Sequence, residues 1–285
     1  MPAFIDTLIT QALVLSFLST AALTGLIFIT GRKQSGFFLA NTSVGVSFIW
    51  FLAFILGTPD FPPEYNNTAI LSASACIFAI GILIDFFLLK EKKMYRSIAI
   101  IIILLIGVSI TVWMRSGFDL WSTPILLGWC AIAFGLTRIS NDPNFGSGDS
   151  TLVLTIASFG TGIISWLSDI AVDRDLAFGL CAISFGFFIF NYPKPRLYFG
   201  FSILFAGGGG LYMLAIRLVE QMPPLIPAFI ILGFIFFVDI ASTYVQRNLL
   251  LLPMIPSSVK IVVLSLFPLA LATVITLVAI EFPIK

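Results

Sequence analysis

Ten separate stretches of this chain are apolar for 15 to 23 residues at a time, and no other feature limits its fold as strongly. A helix rises 1.5 Å per residue, so about twenty such residues cover the roughly 30 Å of hydrocarbon in a bilayer. The runs lie near 8–30, 37–57, 69–89, 97–114, 120–137, 151–168, 176–190, 197–216, 225–245 and 261–280. The fifth is interrupted by Pro124, and the seventh is the shortest. All are continuously apolar. A barrel strand would instead alternate between a lipid face and an inner face. The expected fold is therefore all-α: one transmembrane domain over 1–285, a polytopic membrane bundle of about ten helices.

Composition closes the soluble alternative. The chain is 59% apolar and 10% charged, whereas a soluble domain carries about 25% charge. Its net charge of +1 and its small, scattered cation clusters argue against a nucleic-acid partner. Cys76, Cys130 and Cys181 are far apart inside apolar runs, which suggests core packing rather than disulfides or a thiolate metal site. Residues 1–6 contain no cation and no clear cleavage site follows the first run, so that run reads as a retained span.

Cations set the expected orientation. Loops after odd-numbered runs hold eleven of the fifteen: Arg32, Lys33, Lys90, Lys92, Lys93, Arg96, Arg138, Lys194, Arg196, Arg247 and Lys260. The other side holds Arg115, Arg174, Arg217 and Lys285, together with nine of the fourteen carboxylates. Positive charge stays on the cytoplasmic side during insertion. Odd-numbered loops are expected in the cytoplasm, with both termini outside.

Four polar segments fall on that cytoplasmic side. Gly81-Ile82-Leu83-Ile84-Asp85 ends the third run, and Asp85 alone would read as an interfacial carboxylate near Lys90. Asn141-Asp142-Pro143-Asn144 and Gly146-Ser147-Gly148-Asp149 join runs five and six, in residues that commonly form turns. Phe190-Asn191-Tyr192-Pro193-Lys194-Pro195-Arg196-Leu197-Tyr198-Phe199-Gly200 separates runs seven and eight, where two prolines and two cations force the chain to surface. Asp239, Thr243 and Arg247 end run nine at spacings of four, on one helical face. Asp239 and Arg247 would also suit a purely structural pair.

Taken in this order, the four segments resemble the polyprenyl-phosphate N-acetylhexosamine-1-phosphate transferases, glycosyltransferase family 4. Their third-span motif reads Gly-Leu-x-Asp-Asp, matched by Gly81 and Asp85, with Ile84 at the first aspartate. Their Asn-x-x-Asn-x-x-Asp-Gly motif is matched by Asn141, Asn144 and Gly148, with Ser147 at the aspartate and Asp149 two residues away. Their Phe-Asn-x-x-Pro-Ala-Lys/Arg-Ile/Leu-Phe-Met-Gly-Asp-x-Gly-Ser loop is matched by Asn191, Arg196, Leu197, Tyr198 and Gly200. There the family's aspartate falls on Phe201, and its Gly-Ser on Ile203 and Leu204. Asp239, Thr243 and Arg247 resemble its Asp-x-x-x-Thr-x-x-x-Arg, but no histidine follows, and the chain has none.

The resemblance implies transfer of a sugar 1-phosphate from a UDP-sugar to undecaprenyl phosphate in the bacterial inner membrane, releasing UMP. Mg²⁺ would bridge the pyrophosphate oxygens. It offers Asp85, Asp149 and Asp239 as catalytic candidates and Asp85 and Asp149 as metal ligands. Asn141, Asn144, Asn191, Arg196 and Arg247 are its substrate-binding candidates. With carboxylates missing at Ile84, Ser147 and Phe201, the leading expectation is a noncatalytic or strongly altered relative near cell-envelope glycan assembly. An active transferase using Asp85, Asp142 or Asp149 as substitute ligands and a transporter-like protein are the alternatives. A homodimer or a membrane-protein partner fits either of the first two. Gly207-Gly208-Gly209-Gly210 suggests close helix packing or local unwinding.

Overall fold

The computed structural model describes residues 147–191, 201–235 and 257–282. Among these residues every regular element is helical. They are α1 (Ser147–Leu167), α2 (Ala171–Asn191) and α3 (Phe201–Gln221), a 3-10 turn at Pro223–Leu225 leading into α4 (226–235), and α5 (Ser257–Glu281). One of them, over Ile261–Glu281, is long and apolar enough to cross a membrane by length and composition.

α1 and α2 form an antiparallel hairpin across three residues. Asp169 adopts φ 57°, the left-handed conformation that ends many helices. Around it Ile170 N–H donates to Ser165 O at 3.0 Å and Asp169 N–H to Trp166 O at 3.1 Å. This double bond pattern satisfies carbonyls that the helix end would leave open, and it turns the chain back at once. α3 ends just as firmly. Met222 precedes Pro223, whose ring disfavours helical geometry one residue earlier, and Met222 is extended at φ −137°, ψ 84°.

α1 is the centre. Over 151–167 it leaves a narrow stripe open, Ile156, Phe159, Ile163, Trp166 and Leu167, and packs elsewhere against α2, α3 and α5. Its hydroxyls close on their own backbone four residues back: Thr155 to Thr151 O at 2.7 Å, Ser158 to Leu154 O at 2.6 Å, Thr161 to Ala157 O at 3.0 Å and Ser165 to Thr161 O at 2.8 Å. A polar group satisfied in this way can be buried without a partner on another helix. Glycines supply the close approaches. A Cβ on Gly160 would collide with Leu232 of α4 and lie 2.9 Å from Leu269 of α5. One on Gly162 would meet the Phe178 ring at 2.6 Å, and one on Gly207 would meet Leu154 at 2.7 Å.

α5 is built the opposite way from a soluble helix. Apart from Ile261, its buried stripe is free of large side chains: Ser265, Pro268, Ala272, Thr276 and Ala279. Its outward face is large and apolar, with Phe267 73% exposed, Val263 59% and Leu266 56%.

The helices differ from the apolar runs at their ends. α1 starts at Ser147, so Gly148 and Asp149 belong to its first turn and not to a loop. α2 starts at Ala171 and takes in Asp173, Arg174 and Asp175, while α3 runs on through Arg217 and Glu220. Gly207 to Gly210 all lie within α3, so the chain does not unwind there, and Gly207 makes a close packing contact with Leu154.

Candidate functional site

The hairpin has two ends of different chemistry. At one end lie the start of α1 and the end of α2, which the three-residue link places side by side. α3 runs antiparallel to α2, because Arg217 near its end reaches Asp173 near the start of α2. Gly207 and Leu154, each the seventh or eighth residue of its helix, meet at the same height, so α1 and α3 are parallel. Asp149 in the first turn of α1, Asn191 closing α2 and Phe201 opening α3 therefore share one end of this three-helix group. Asp85, Asn141, Asp142, Asn144, Arg196, Asp239 and Arg247 lie outside the described residues, as do Ile84, Thr243 and the Tyr192 to Gly200 loop.

Of the candidate Mg²⁺ ligands, only Asp149 falls among the described residues, and Phe201 stands at the same end. One carboxylate and a phenyl ring do not by themselves fit Mg²⁺, which wants hard oxygen donors in octahedral array. Among the described residues no three of His, Cys, Asp and Glu gather closely enough to hold a metal ion.

The opposite end holds a charged group that the motifs did not single out. Asp173 is the outermost member of the buried stripe of α2, which continues through Leu176, Ala177, Leu180, Ile183, Ser184 and Phe187. That periodicity turns its carboxylate inward among apolar neighbours. It is 0% exposed, and neither of its oxygens accepts a hydrogen bond. Arg217 Nε stands 3.3 Å from Oδ1. Burial pushes the carboxyl up to about 6, and the Arg217 charge offsets only part of that rise. Both residues lie beyond the apolar runs 176–190 and 197–216. Next to them Arg174 Nε donates to Asp175 Oδ1 at 2.9 Å, and Asp175 is also raised by burial, against the hydrogen bond from Arg174.

By the apolar runs, Asp173 and Arg217 fall between spans and count only toward the charge balance of the two sides. The signal lay in helical spacing: Asp173 is three and four residues ahead of Leu176 and Ala177, in phase with the apolar stripe. Comparison with known protein families and with curated proteins gives no match for this chain.

Proposed function

We propose that this chain is a multi-pass inner-membrane protein of about ten helices. It is a degenerate, noncatalytic relative of the polyprenyl-phosphate sugar-1-phosphate transferases, working beside cell-envelope glycan assembly. The membrane part of this reading is supported by α5, whose large apolar side chains face outward while Ser265, Ala272, Thr276 and Ala279 face in. Hydrocarbon tolerates that arrangement and water does not.

The family part is carried by one observation. Asp149, Asn191 and Phe201 come from two different motif segments, and the order of α1, α2 and α3 brings them to a common end. The cation count assigns that end to the cytoplasm, where polyprenyl phosphate and a UDP-sugar would meet. Asn191 and Arg196 would then hold substrate phosphate or sugar oxygens. Asp85 and Asp149 would be the remaining acidic groups, and Phe201 would leave an apolar ring where a carboxylate is needed.

The test is a direct assay. Purified protein given Mg²⁺, undecaprenyl phosphate and a panel of UDP-sugars is expected to release no UMP above background, while still retaining radiolabelled undecaprenyl phosphate. Phe201→Asp alone is not expected to restore release, because Ile84, Ser147 and the missing histidine remain. Metal-dependent UMP release by the unmodified protein, lost in Asp149→Asn, would replace this reading with that of an active transferase.

A further inference from the structure

The buried pair at the far end of the hairpin points to a site of its own. An ionised carboxylate in an apolar contact keeps its charge only if hydrogen bonds and an opposite charge replace the lost water. Asp173 has no hydrogen bond to either oxygen and a single approach by Arg217 at 3.3 Å, without the two parallel bonds that make an arginine–carboxylate pair strong.

Among the described residues little else can hold the charge. α3 brings Arg217 and Glu220, and Glu220 is exposed. α2 itself brings Arg174 and Asp175, which are engaged with each other at 2.9 Å. The turn brings Asp169, also exposed. The last turns of α1 bring only the hydroxyls of Ser165 and Ser168, each donating to its own helix. Residues 223–235 contain no ionisable side chain, and Glu281 of α5 is exposed at the end of that helix.

We propose that Asp173 is a proton-binding site: its carboxylate, enclosed where α2 meets α3, takes a proton from the aqueous phase at this end, and the ion pair with Arg217 becomes a neutral carboxyl beside a guanidinium that keeps its charge. One proton is taken up, one O–H bond forms, and the site gains one positive charge. The upward push that burial exerts on this carboxyl, to about 6, agrees with the geometry. The inference is independent of the transferase resemblance, since it concerns the opposite end of the hairpin and none of the motif residues.

The experiment uses full-length protein in detergent micelles, comparing wild type, Asp173→Asn and Arg217→Gln by pH-difference infrared spectroscopy and thermal melting. Wild type should gain a protonated-carboxyl band with a midpoint near pH 6 that Asp173→Asn lacks. Arg217→Gln should move the midpoint to higher pH, because the charge favouring the carboxylate is gone. The sign of the stability effect follows from linkage. The folded protein binds this proton more tightly than the unfolded chain, whose value is 3.8, so ionisation lowers stability as pH rises from about 4 through about 6. Asp173→Asn should thus melt with wild type in acid and above it at neutral pH. The opposite order, with Asp173→Asn melting below wild type at neutral pH and the gap closing in acid, would identify a fixed structural ion pair and overturn the proposal. An unchanged infrared band would do the same. If Asp173→Asn does not fold, the Arg217→Gln midpoint decides alone, and a midpoint that stays in place overturns the site.

Discussion

Glycines show how closely single atoms are matched in this bundle. Gly160 lies under the methyl ends of Leu232 and Leu269, from two different helices, so an added methyl requires both side chains to move. Gly179 is also helical, yet nothing stands within 4 Å of where its Cβ would be. Gly160→Ala is therefore expected to lose about 1–3 kcal/mol through overpacking. Gly179→Ala is expected to gain roughly 0.5–1 kcal/mol from helix propensity. Unfolding of the two variants in the same detergent checks this, and a gain at both positions would show that Leu232 and Leu269 swing aside at no cost. A run of four glycines announces close packing to any reader of the sequence. Gly160 and Gly162 do not stand out, because which glycine is crowded depends on the neighbours that the fold supplies. Asp173 was hidden for a related reason: a charge just outside an apolar run looks solvated until the helix is known to continue through it.

At the level of elements, hydropathy located the described helices well and their ends poorly. Apolar runs mark where water is absent, whereas a helix continues for as long as its backbone bonds close. α2 and α3 thus gain their charged first and last turns beyond the runs at 176–190 and 197–216. α5 shows what faces its environment. Ala272 is 1% exposed on the inner stripe and Phe267 is 73% exposed on the outer face. Ala272→Leu should cost about 1–3 kcal/mol by forcing helices apart, and Phe267→Leu should stay within about 0.5 kcal/mol. Phe267→Arg separates lipid from water. In hydrocarbon it should cost about 2.5–3.5 kcal/mol and reduce membrane insertion, whereas next to water it would be silent. Insertion measured with a glycosylation-site reporter distinguishes the two.

For the molecule as a whole, orientation is the most exposed of the expectations. The cation count expects the 138–150 and 191–200 segments on one side of the membrane and the 169–175 and 217–224 segments on the other. With ten spans, the cation count would put both termini outside the cytoplasm. A reporter active only in the cytoplasm, fused after Lys285, is expected to give no signal, and a strong signal would remove one span from the count of ten. Of the motif-derived site, sequence supplied the segments and an expected side. How Asp85 and Asp239 stand toward Asp149 depends on long-range packing, which spacing along the chain does not encode, and both lie outside the described residues.

The hydroxyls that α1 closes on its own backbone bear on how such a chain is made. A helix whose Thr155, Ser158, Thr161 and Ser165 are already satisfied has nothing to wait for. On the proposed membrane reading it can leave the ribosome's exit path and settle in lipid before its neighbours. Asp173 cannot, since its countercharge, Arg217, is synthesised only after α2 and most of α3. Until α3 arrives the enclosure is open and the carboxylate keeps its water, so the speed with which α3 follows α2 sets how long that charge stays hydrated before it is closed in.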